Sequence, residues 1–406
     1  MNCRFCNKSL SHLFVSLGKA PLSNAYLSPE QLRHGEKYYP LDVYVCDSCL
    51  LVQLDAFETP EHIFGDYAYF SSYSDTWVEH ARRYSDIVTS TLGLSKSSLV
   101  IEIASNDGYL LKHFLDKGIP ALGIEPAANV ADTARRKGVP TETVFFGRET
   151  ALRLRAEKKV PDLLIGNNVL AHVPDINDFV SGLKILLKER GVITMEFPHI
   201  VRLIEGRQFD TIYHEHFSYF SFITVERIFS AHGLRVFDVE ELPTHGGSLR
   251  TYICHSDDDK AVSHRVGELE RFELEAGYAA TDTYLAFSEA VEDAKRDILT
   301  FLTGAKNDGK TVVGYGAPAK GNTLLNYCGI KTDYIDYTVD RNTYKQGRYL
   351  PGSHIPIESP DKIRETRPDY LFILPWNLKD EIMDQTSYIR EWGGKFVLPI
   401  PEIRVL

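Results

Sequence analysis

The stretch LVIEIASNDGYLL at residues 99–111 carries the pattern of a strand, a tight turn and a helix. Its first five residues form the apolar run of a buried strand, Asn106-Asp107-Gly108 is a tight turn, and a helix begins at Leu110. A strand that passes through a tight turn into a helix presents backbone amides to a ligand at the edge of an α/β sheet. The stretch therefore predicts a ligand-binding loop in a parallel sheet.

The composition of this loop indicates which ligand it takes. A dinucleotide site uses Gly-x-Gly-x-x-Gly so that pyrophosphate can approach the backbone, whereas this loop contains one glycine, Gly108. The loop therefore favours a bulkier, phosphate-free nucleoside cofactor. Glu125 ends the next strand about 20 residues further on, where a carboxylate accepts hydrogen bonds from both ribose hydroxyls. The alternative is a surface loop followed by a strand-end acid.

Four of the six cysteines fall in two Cys-x2-Cys pairs, Cys3 with Cys6 and Cys46 with Cys49. In a reducing compartment two such pairs indicate a tetrahedral zinc site rather than disulfides. Four thiolates close the coordination shell, so the predicted Zn(II) is structural. The alternative is two unrelated pairs of buried cysteines.

Strands and helices alternate through most of the chain. Strand-like runs at 121–125, 162–167 and 191–196 continue the sheet, and an antiparallel pair at 234–240 and 248–254 closes it. After a helical pattern at 260–305, the alternation restarts with runs at 311–315, 334–339, 370–374 and 395–398. We predict an α/β protein with a small zinc-binding N-terminal domain (1–70), a Rossmann-like cofactor domain (71–258) and a C-terminal Rossmann-like α/β domain with a helical connector (259–406).

Composition narrows the function classes. The 406 residues carry 45 Lys and Arg against 56 Asp and Glu, a net charge of −11, which disfavours a large nucleic-acid footprint. We find no apolar run of membrane-spanning length and no apolar signal segment at the N-terminus. We therefore expect a cytoplasmic protein that acts without a nucleic acid or a membrane as partner.

A second run, Tyr213-His214-Glu215-His216, packs three titratable side chains and a phenol into four positions. Histidine suits proton transfer because its pKa lies near neutrality. Two alternatives remain: a metal site, which His214 and His216 would form only from a strand, and a solvated structural cluster. In the C-terminal domain, Gly314, Gly316 and Ala319 precede Lys320 at the start of a helix, a turn that can hold a diphosphate. A solvated helix-start lysine is the alternative there.

Several motifs in series resemble one family. These are the two Cys-x2-Cys pairs, Tyr69–Ser74, the 102–111 loop, Gly123–Ala127, Asn167–His172, Tyr213–Phe217, His245–Arg250 and Gly314–Gly321. Together they are similar to the S-adenosylmethionine-dependent C-3 methyltransferases of nucleotide sugars, which make branched deoxysugars. The resemblance spans nearly the whole chain. It implies S-adenosylmethionine and zinc as cofactors, and a C-terminal domain that closes over the substrate.

The chemistry of such an enzyme defines its substrate and base. A sugar carbon becomes a nucleophile only beside a ketone, so the resemblance implies a nucleoside-diphosphate 4-keto-deoxyhexose. The resemblance favours thymidine diphosphate as the carrier, with guanosine and cytidine diphosphate as alternatives. A base must remove the C-3 proton and a donor must stabilise charge on the C-4 oxygen. The resemblance favours His216 as base. The expected catalytic residues are His216, Glu215, Tyr213, His172 and Tyr67.

The remaining expected site residues follow from the same motifs. The cofactor is expected to contact Glu102, Ser105, Asn106, Asp107, Gly108, Glu125, Pro126 and Asn168. The substrate is expected to contact His214, His245, Ser248, Arg250, Lys320 and Asn322. We expect a monomer. Two other functions stay open at this point: O-methylation of a sugar hydroxyl, which needs a base but no ketone, and a zinc-containing binding module without catalysis.

Overall fold

The N-terminal lobe is a four-stranded antiparallel sheet. The computed structural model describes residues 1–59 and 70–406. Tyr67, one of the predicted catalytic residues, lies outside both ranges. The lobe contributes β1 (His12–Ala20), β2 (Tyr39–Val45) and β3 (Val52–Leu54). The fourth strand is β9 (Ser218–Tyr219), which pairs with β3 and directly follows the 213–216 run. The lobe sheet therefore extends to the edge of the predicted proton-transfer residues.

The central sheet has seven strands in the order β10-β11-β8-β7-β4-β5-β6. These are β4 (Val100–Ile103), β5 (Ala121–Ile124), β6 (Thr141–Glu142), β7 (Leu163–Asn167), β8 (Val192–Pro198), β10 (Leu234–Leu242) and β11 (Ser248–His255). All neighbours pair in parallel except β10 with β11 and β11 with β8. This confirms the predicted doubly wound sheet and its antiparallel edge.

Helices cover the central sheet and several carry clear end signals. They are α1 (Asp75–Leu92), α2 (Leu111–Asp116), α3 (Ala128–Arg136), α4 (Arg148–Ala156), α5 (Ile176–Leu186), α6 (Ile200–Glu205) and α7 (Phe222–Ala231). Ser74 caps α1 by accepting from the amide of Trp77, and Gly93 ends the helix at φ +62°. Ser221 caps α7 in the same way.

The C-terminal sheet has six strands in the order β14-β13-β12-β15-β16-β17. They are β12 (Val312–Tyr315), β13 (Thr338–Val339), β14 (Ile357–Glu358), β15 (Tyr370–Ile373), β16 (Lys395–Leu398) and β17 (Arg404–Val405). The helices of this part are α8 (His264–Glu275), α9 (Thr281–Leu285), α10 (Phe287–Asn307), α11 (Ala319–Cys328), α12 (Lys362–Thr366) and α13 (Lys379–Gln385). The strand predicted at 334–339 is shorter than expected, because the amides of Tyr334 and Ile335 bond back to Lys331 in a turn.

One hydrophobic core joins the N-terminal lobe to the C-terminal part. Phe14 on β1 stacks on Phe287 at the start of α10 with ring centroids 4.8 Å apart. The same core continues through Ile298 on α10 to Phe372 on β15. In residues 1–59 and 70–406, no helix is both long and apolar enough to cross a bilayer.

Candidate active site

The four predicted metal ligands converge in the N-terminal lobe. Cys3 and Cys6 lie in the first turn of the chain, and Cys46 and Cys49 lie in the turn between β2 and β3. Their sulfurs all lie within 4.8 Å of one another, and the Cys3–Cys49 and Cys6–Cys46 pairs are 3.5 Å apart. Zinc–sulfur bonds of about 2.3 Å give a tetrahedron with edges of roughly 3.8 Å. The four thiols therefore fit a closed zinc site, as predicted.

Both cysteine-containing turns form hydrogen bonds with the central domain. Arg4 donates to the carbonyl of Pro174 at 2.7 Å, and the amide of Asn177 donates to the carbonyls of Arg4 and Phe5. The hydroxyl of Thr224 donates to the carbonyl of Cys49 at 3.3 Å. A bound metal would thus hold the lobe against the central sheet, which is a structural role.

The cofactor loop after β4 is an unusual backbone shape held by one carboxylate. Ala104 and Asn106 have φ of +56° and +48°, values that residues other than glycine rarely adopt. Glu125 accepts from the backbone amide of Asn106 and from that of Ala127, each at 2.9 Å. At Gly108 a Cβ atom would lie 2.7 Å from a methyl of Val139, so no side chain fits there. Glu125 is therefore a clamp of the loop as well as the predicted ribose acceptor.

Buried polar atoms around this loop lack protein partners. Among the residues that the structure describes, both carboxylate oxygens of Glu102, one of Asp107 and the amide oxygen of Asn168 make no hydrogen bond. Burial raises the pKa of Glu102 well above its usual value, and the neighbouring Glu125 and Asp107 raise it further. Burial also raises the pKa of Glu125 to about 7, although its two backbone hydrogen bonds oppose this. A cofactor rich in hydroxyl and ammonium donors fits such a set of acceptors.

The other predicted cofactor residues differ in their surroundings. The hydroxyl of Ser105 points toward β5. A Cβ atom added at Gly123 on that strand would lie 2.3 Å from the hydroxyl oxygen. Asp107 pairs with Lys137 at 2.7 Å, and Pro126 is partly exposed beside Glu125. Asn168, at φ +54°, follows β7 and its amide lies 3.1 Å from Nε2 of His245.

The 213–216 run places one imidazole in a defined tautomer. Nδ1 of His216 lies 2.8 Å from the carbonyl of Thr211, which can only accept, so Nδ1 carries the proton. Nε2 is consequently unprotonated and accepts from the hydroxyl of Tyr213 at 2.8 Å. The ring of His172 lies across His216 with centroids 4.7 Å apart. His216 therefore offers a basic nitrogen beside a phenol and a second imidazole.

Both imidazoles are held neutral. Burial lowers the pKa of His216 well below its usual value, and the nearby His172 lowers it further. Burial lowers the pKa of His172 to about 4. Near neutral pH both rings are thus uncharged, which is the state in which imidazole accepts a proton.

The other two members of the run face the N-terminal lobe. His214 lies 3.1 Å from the carbonyl of Pro40 and packs edge-on against Tyr39. Glu215 accepts from the amide of Asn24 at 2.6 Å. His214 and His216 therefore point to different surroundings. In the described part of the chain the four cysteines are the one group of three or more His, Cys, Asp or Glu side chains with metal-site geometry.

The C-terminal part contributes a lysine to the same region. The ammonium of Lys320, on the first turn of α11, donates to Asn377 at 2.9 Å and lies 4.8 Å from the ring centre of Trp376. Trp376 in turn donates to the buried carboxylate of Asp210 at 2.7 Å. Burial lowers the pKa of His216 and lowers that of His245 to about 4, and the nearby Lys320 lowers both pKa values further. Asn322 is buried with no side-chain partner among the described residues.

Arg250 and Ser248, two of the predicted substrate residues, have hydrogen-bond partners within the protein. Arg250 on β11 pairs with Glu196 at 2.6 Å and is nearly inaccessible. The hydroxyl of Ser248 donates to the carbonyl of Thr244 at 2.9 Å. His245 itself adopts φ +55° and lies 5.1 Å from the ring of Trp77. The structure thus brings four predicted site residues together at the interface between the central and C-terminal domains, which we call the seam: His172, His216, His245 and Lys320.

The chain resembles known proteins over its whole length. Residues 3–64 match a family model described as "Putative zinc binding domain", residues 77–239 match "Methyltransferase domain", and residues 243–401 match "C-methyltransferase C-terminal domain". The C-methyltransferase NovU of Streptomyces niveus is 38% identical over 404 residues, covering 100% of this chain and 96% of that protein.

Solved structures give weaker matches. The 1,6-didemethyltoxoflavin-N1-methyltransferase of Burkholderia thailandensis, with S-adenosylhomocysteine bound, is 18% identical, with a TM-score of 0.36, and covers 51% of this chain and 95% of its own. The magnesium protoporphyrin IX methyltransferase of Synechocystis PCC 6803 is 14% identical, with a TM-score of 0.34, and covers 48% of this chain and 92% of its own.

Proposed function

The chain belongs to the S-adenosylmethionine-dependent C-methyltransferases, and from that premise we propose that it methylates C-3 of a nucleoside-diphosphate 4-keto-deoxyhexose. Bound S-adenosylmethionine supplies an electrophilic methyl group. The residues that would hold it are Glu125, for the ribose hydroxyls, and the loop that Glu125 clamps, with Glu102 beneath. The unpartnered carboxylate oxygens of Glu102 and Asp107, and the loop shape that Glu125 holds, support this proposal.

The observation that carries the proposal is the tautomer of His216. The carbonyl of Thr211 keeps the proton on Nδ1, so the lone pair of Nε2 is available as a base. A neutral imidazole within reach of a sugar carbon can remove the proton next to a ketone, since the electron pair of the broken C–H bond passes into an enolate. An O-methyltransferase needs no such activation of carbon.

Tyr213 completes the proton transfer in this proposal. In the free enzyme its hydroxyl donates to Nε2 of His216. When a 4-ketosugar enters, the same hydroxyl turns to donate to the C-4 oxygen. That movement frees Nε2 to accept the C-3 proton and places a donor at the oxygen where negative charge develops. His172, whose ring lies against His216, borders the sugar in this arrangement.

We also propose where the nucleotide binds. Lys320 carries a charge at the first turn of α11 and lies at the seam, so we place the diphosphate beside it, with Asn322 as a further polar contact. His245 lies beside Asn168 at the border between cofactor and sugar. We take the carrier to be thymidine diphosphate and the active species to be a monomer.

Product analysis tests this proposal. The enzyme is incubated with S-adenosylmethionine and thymidine, guanosine or cytidine diphosphate 4-ketosugars, and the product is examined by mass spectrometry and NMR. We expect one added methyl group bonded to C-3. A methyl group bonded to oxygen, or none with any sugar, would contradict the proposal.

A further inference from the structure

The N-terminal lobe contacts the 213–216 run directly, beyond the zinc site. Strand β9, which follows the run, pairs with β3 through Ser218 and Gln53. The carboxylate of Glu215 accepts from Asn24, a residue of the lobe loop between β1 and β2, at 2.6 Å. Glu215 is buried, with 4% of its surface exposed. The lobe therefore supplies a hydrogen bond to the residue adjacent to the proposed base.

The orientation of the Asn24 amide is set by its two partners. The NH2 group of Asn24 faces Glu215, because it donates the hydrogen bond that a Glu215 carboxylate oxygen accepts. The amide oxygen then faces the hydroxyl of Tyr26, 3.1 Å away. The hydroxyl of Tyr26 lies 2.7 Å from the carbonyl of Ala317, to which Lys345 donates at 2.9 Å. Asn24 thus stands in a chain of contacts from the 213–216 run to the Gly-containing turn of the C-terminal sheet.

Glu215 is held from both sides. Its side chain is bound by Asn24. Its backbone carbonyl accepts a hydrogen bond from the ring of His172, which itself lies against His216. Fixing the Glu215 side chain therefore fixes the peptide that joins it to His216.

We propose that Asn24 is a positioning residue for the proton transfer: its amide holds the Glu215 carboxylate and thereby sets the position of the His216 ring. The inference rests on the proposed function, in which His216 is the base. It assigns the zinc-binding lobe a part in the reaction, because a loop that the lobe carries determines the geometry of the base. A misplacement of about 1 Å at a reacting group can lower a rate by about 100-fold.

Asn24→Asp is the sharpest variant, since it keeps the shape and replaces the donor by a carboxylate. Two carboxylates that share a site cannot both ionise easily, so one of them binds a proton as the pH falls and the hydrogen bond reforms. Among the described residues, the charged and titratable groups around this pair are Tyr26, Lys345 and Asp340 on the side of the C-terminal part, and His172 on the side of the run, with His214 and His216 flanking Glu215 in sequence. We expect kcat to be about 10- to 100-fold below wild type at pH 8 and the deficit to narrow toward pH 6.

A matched control comes from the same lobe. Glu36 accepts from the backbone amide of Gly352 at 3.0 Å and pairs with His354, so it also joins the lobe to the C-terminal part without contacting the run. Glu36→Gln is expected to change thermal stability only, with kcat near wild type at each pH. Zinc content and affinity for S-adenosylmethionine should match wild type in both variants.

The results separate the two proposals. If the wild type places no methyl group on C-3 of any 4-ketosugar, the proposed function fails and this inference falls with it. If the wild type is active but folded Asn24→Asp enzyme keeps its kcat, or loses it equally at every pH, the positioning role alone is refuted. Should that variant not fold, Asn24→Ala replaces it: a kcat lowered about 10- to 100-fold with unchanged KM supports the role, and wild-type kcat refutes it.

Discussion

Replacing Glu125 by glutamine separates the two roles that the structure gives this carboxylate. Each oxygen now accepts from a backbone amide, one from Asn106 and one from Ala127. Glutamine offers one accepting end and one donating end, so one of these buried N–H groups loses its acceptor. An unsatisfied buried donor costs about 1–3 kcal/mol. We therefore expect the cofactor-free variant to lose about that much free energy of unfolding, measured by urea denaturation.

The effect on cofactor affinity comes in addition. Hydrogen bonds to a charged group contribute about 1.5–3 kcal/mol, which corresponds to roughly a 10- to 150-fold weaker Kd for S-adenosylhomocysteine. Calorimetry with wild type and Glu125→Gln measures this. Glu142 on the neighbouring strand β6 provides the control, because it pairs with Arg153 and Lys159 at the surface and Glu142→Gln should leave Kd unchanged.

A second ligand shows whether Glu125→Gln loses affinity through the ribose contact or through a change in the loop. An S-adenosylhomocysteine analogue that lacks a ribose hydroxyl should bind more weakly than the parent to wild type, and about equally with the parent to Glu125→Gln. If removing the hydroxyl weakens both enzymes by the same factor, Glu125 does not bind the ribose and acts on the loop alone. An unchanged Kd in the variant would refute the ribose contact, and an unchanged free energy of unfolding would refute the role of Glu125 in holding the loop.

Three further predictions follow from the same geometry. Cys46→Ser should lower zinc content and thermal stability together, measured by metal analysis and calorimetry, and a zinc-free protein of normal stability would argue against a structural metal. His216→Asn cannot accept the proton, so methyl transfer should fall by about 10²–10⁴-fold with cofactor affinity retained, and a smaller loss in steady-state kinetics would remove His216 from the base role. The affinity for S-adenosylhomocysteine should rise as the pH passes through about 7 and level off above about pH 8, since burial raises the pKa of Glu125 to about 7 and its ionised form is the better acceptor for the ribose hydroxyls; a flat profile in calorimetry would contradict that sign.

Much of the fold could be predicted because its strands are short apolar runs in sequence. The run at 99–103 and the closing pair before and after the His245 turn appear in the structure as β4, β10 and β11. Parallel strands place their carboxyl ends at one edge, so Glu102 and Glu125 could be assigned to one loop region without coordinates. The four cysteines were equally clear, because their pairing in twos is local.

Contacts between distant segments could not be predicted in this way. Asn24 meets Glu215 across 191 positions, and no spacing or composition near Asn24 signals that contact. Two other contacts also join segments that are far apart in sequence. These are the pairing of β9 with β3 and the hydrogen bond from Trp376 to the carboxylate of Asp210. The partner of Arg250 could not be predicted either. The sequence indicates a diphosphate contact, and the structure shows an ion pair with Glu196. A buried carboxylate is stabilised by a nearby cation.

Hydrogen exchange at C-3 tests the central claim most directly. Thymidine diphosphate 4-ketosugar is incubated in heavy water with the enzyme and without S-adenosylmethionine, and deuterium at C-3 is followed by NMR against an enzyme-free sample. We expect the wild type to accelerate the exchange, Glu125→Gln to retain this activity and His216→Asn to lose it. Absence of enzyme-dependent exchange, or exchange by His216→Asn at the wild-type rate, would contradict the claim that His216 makes the carbon nucleophile.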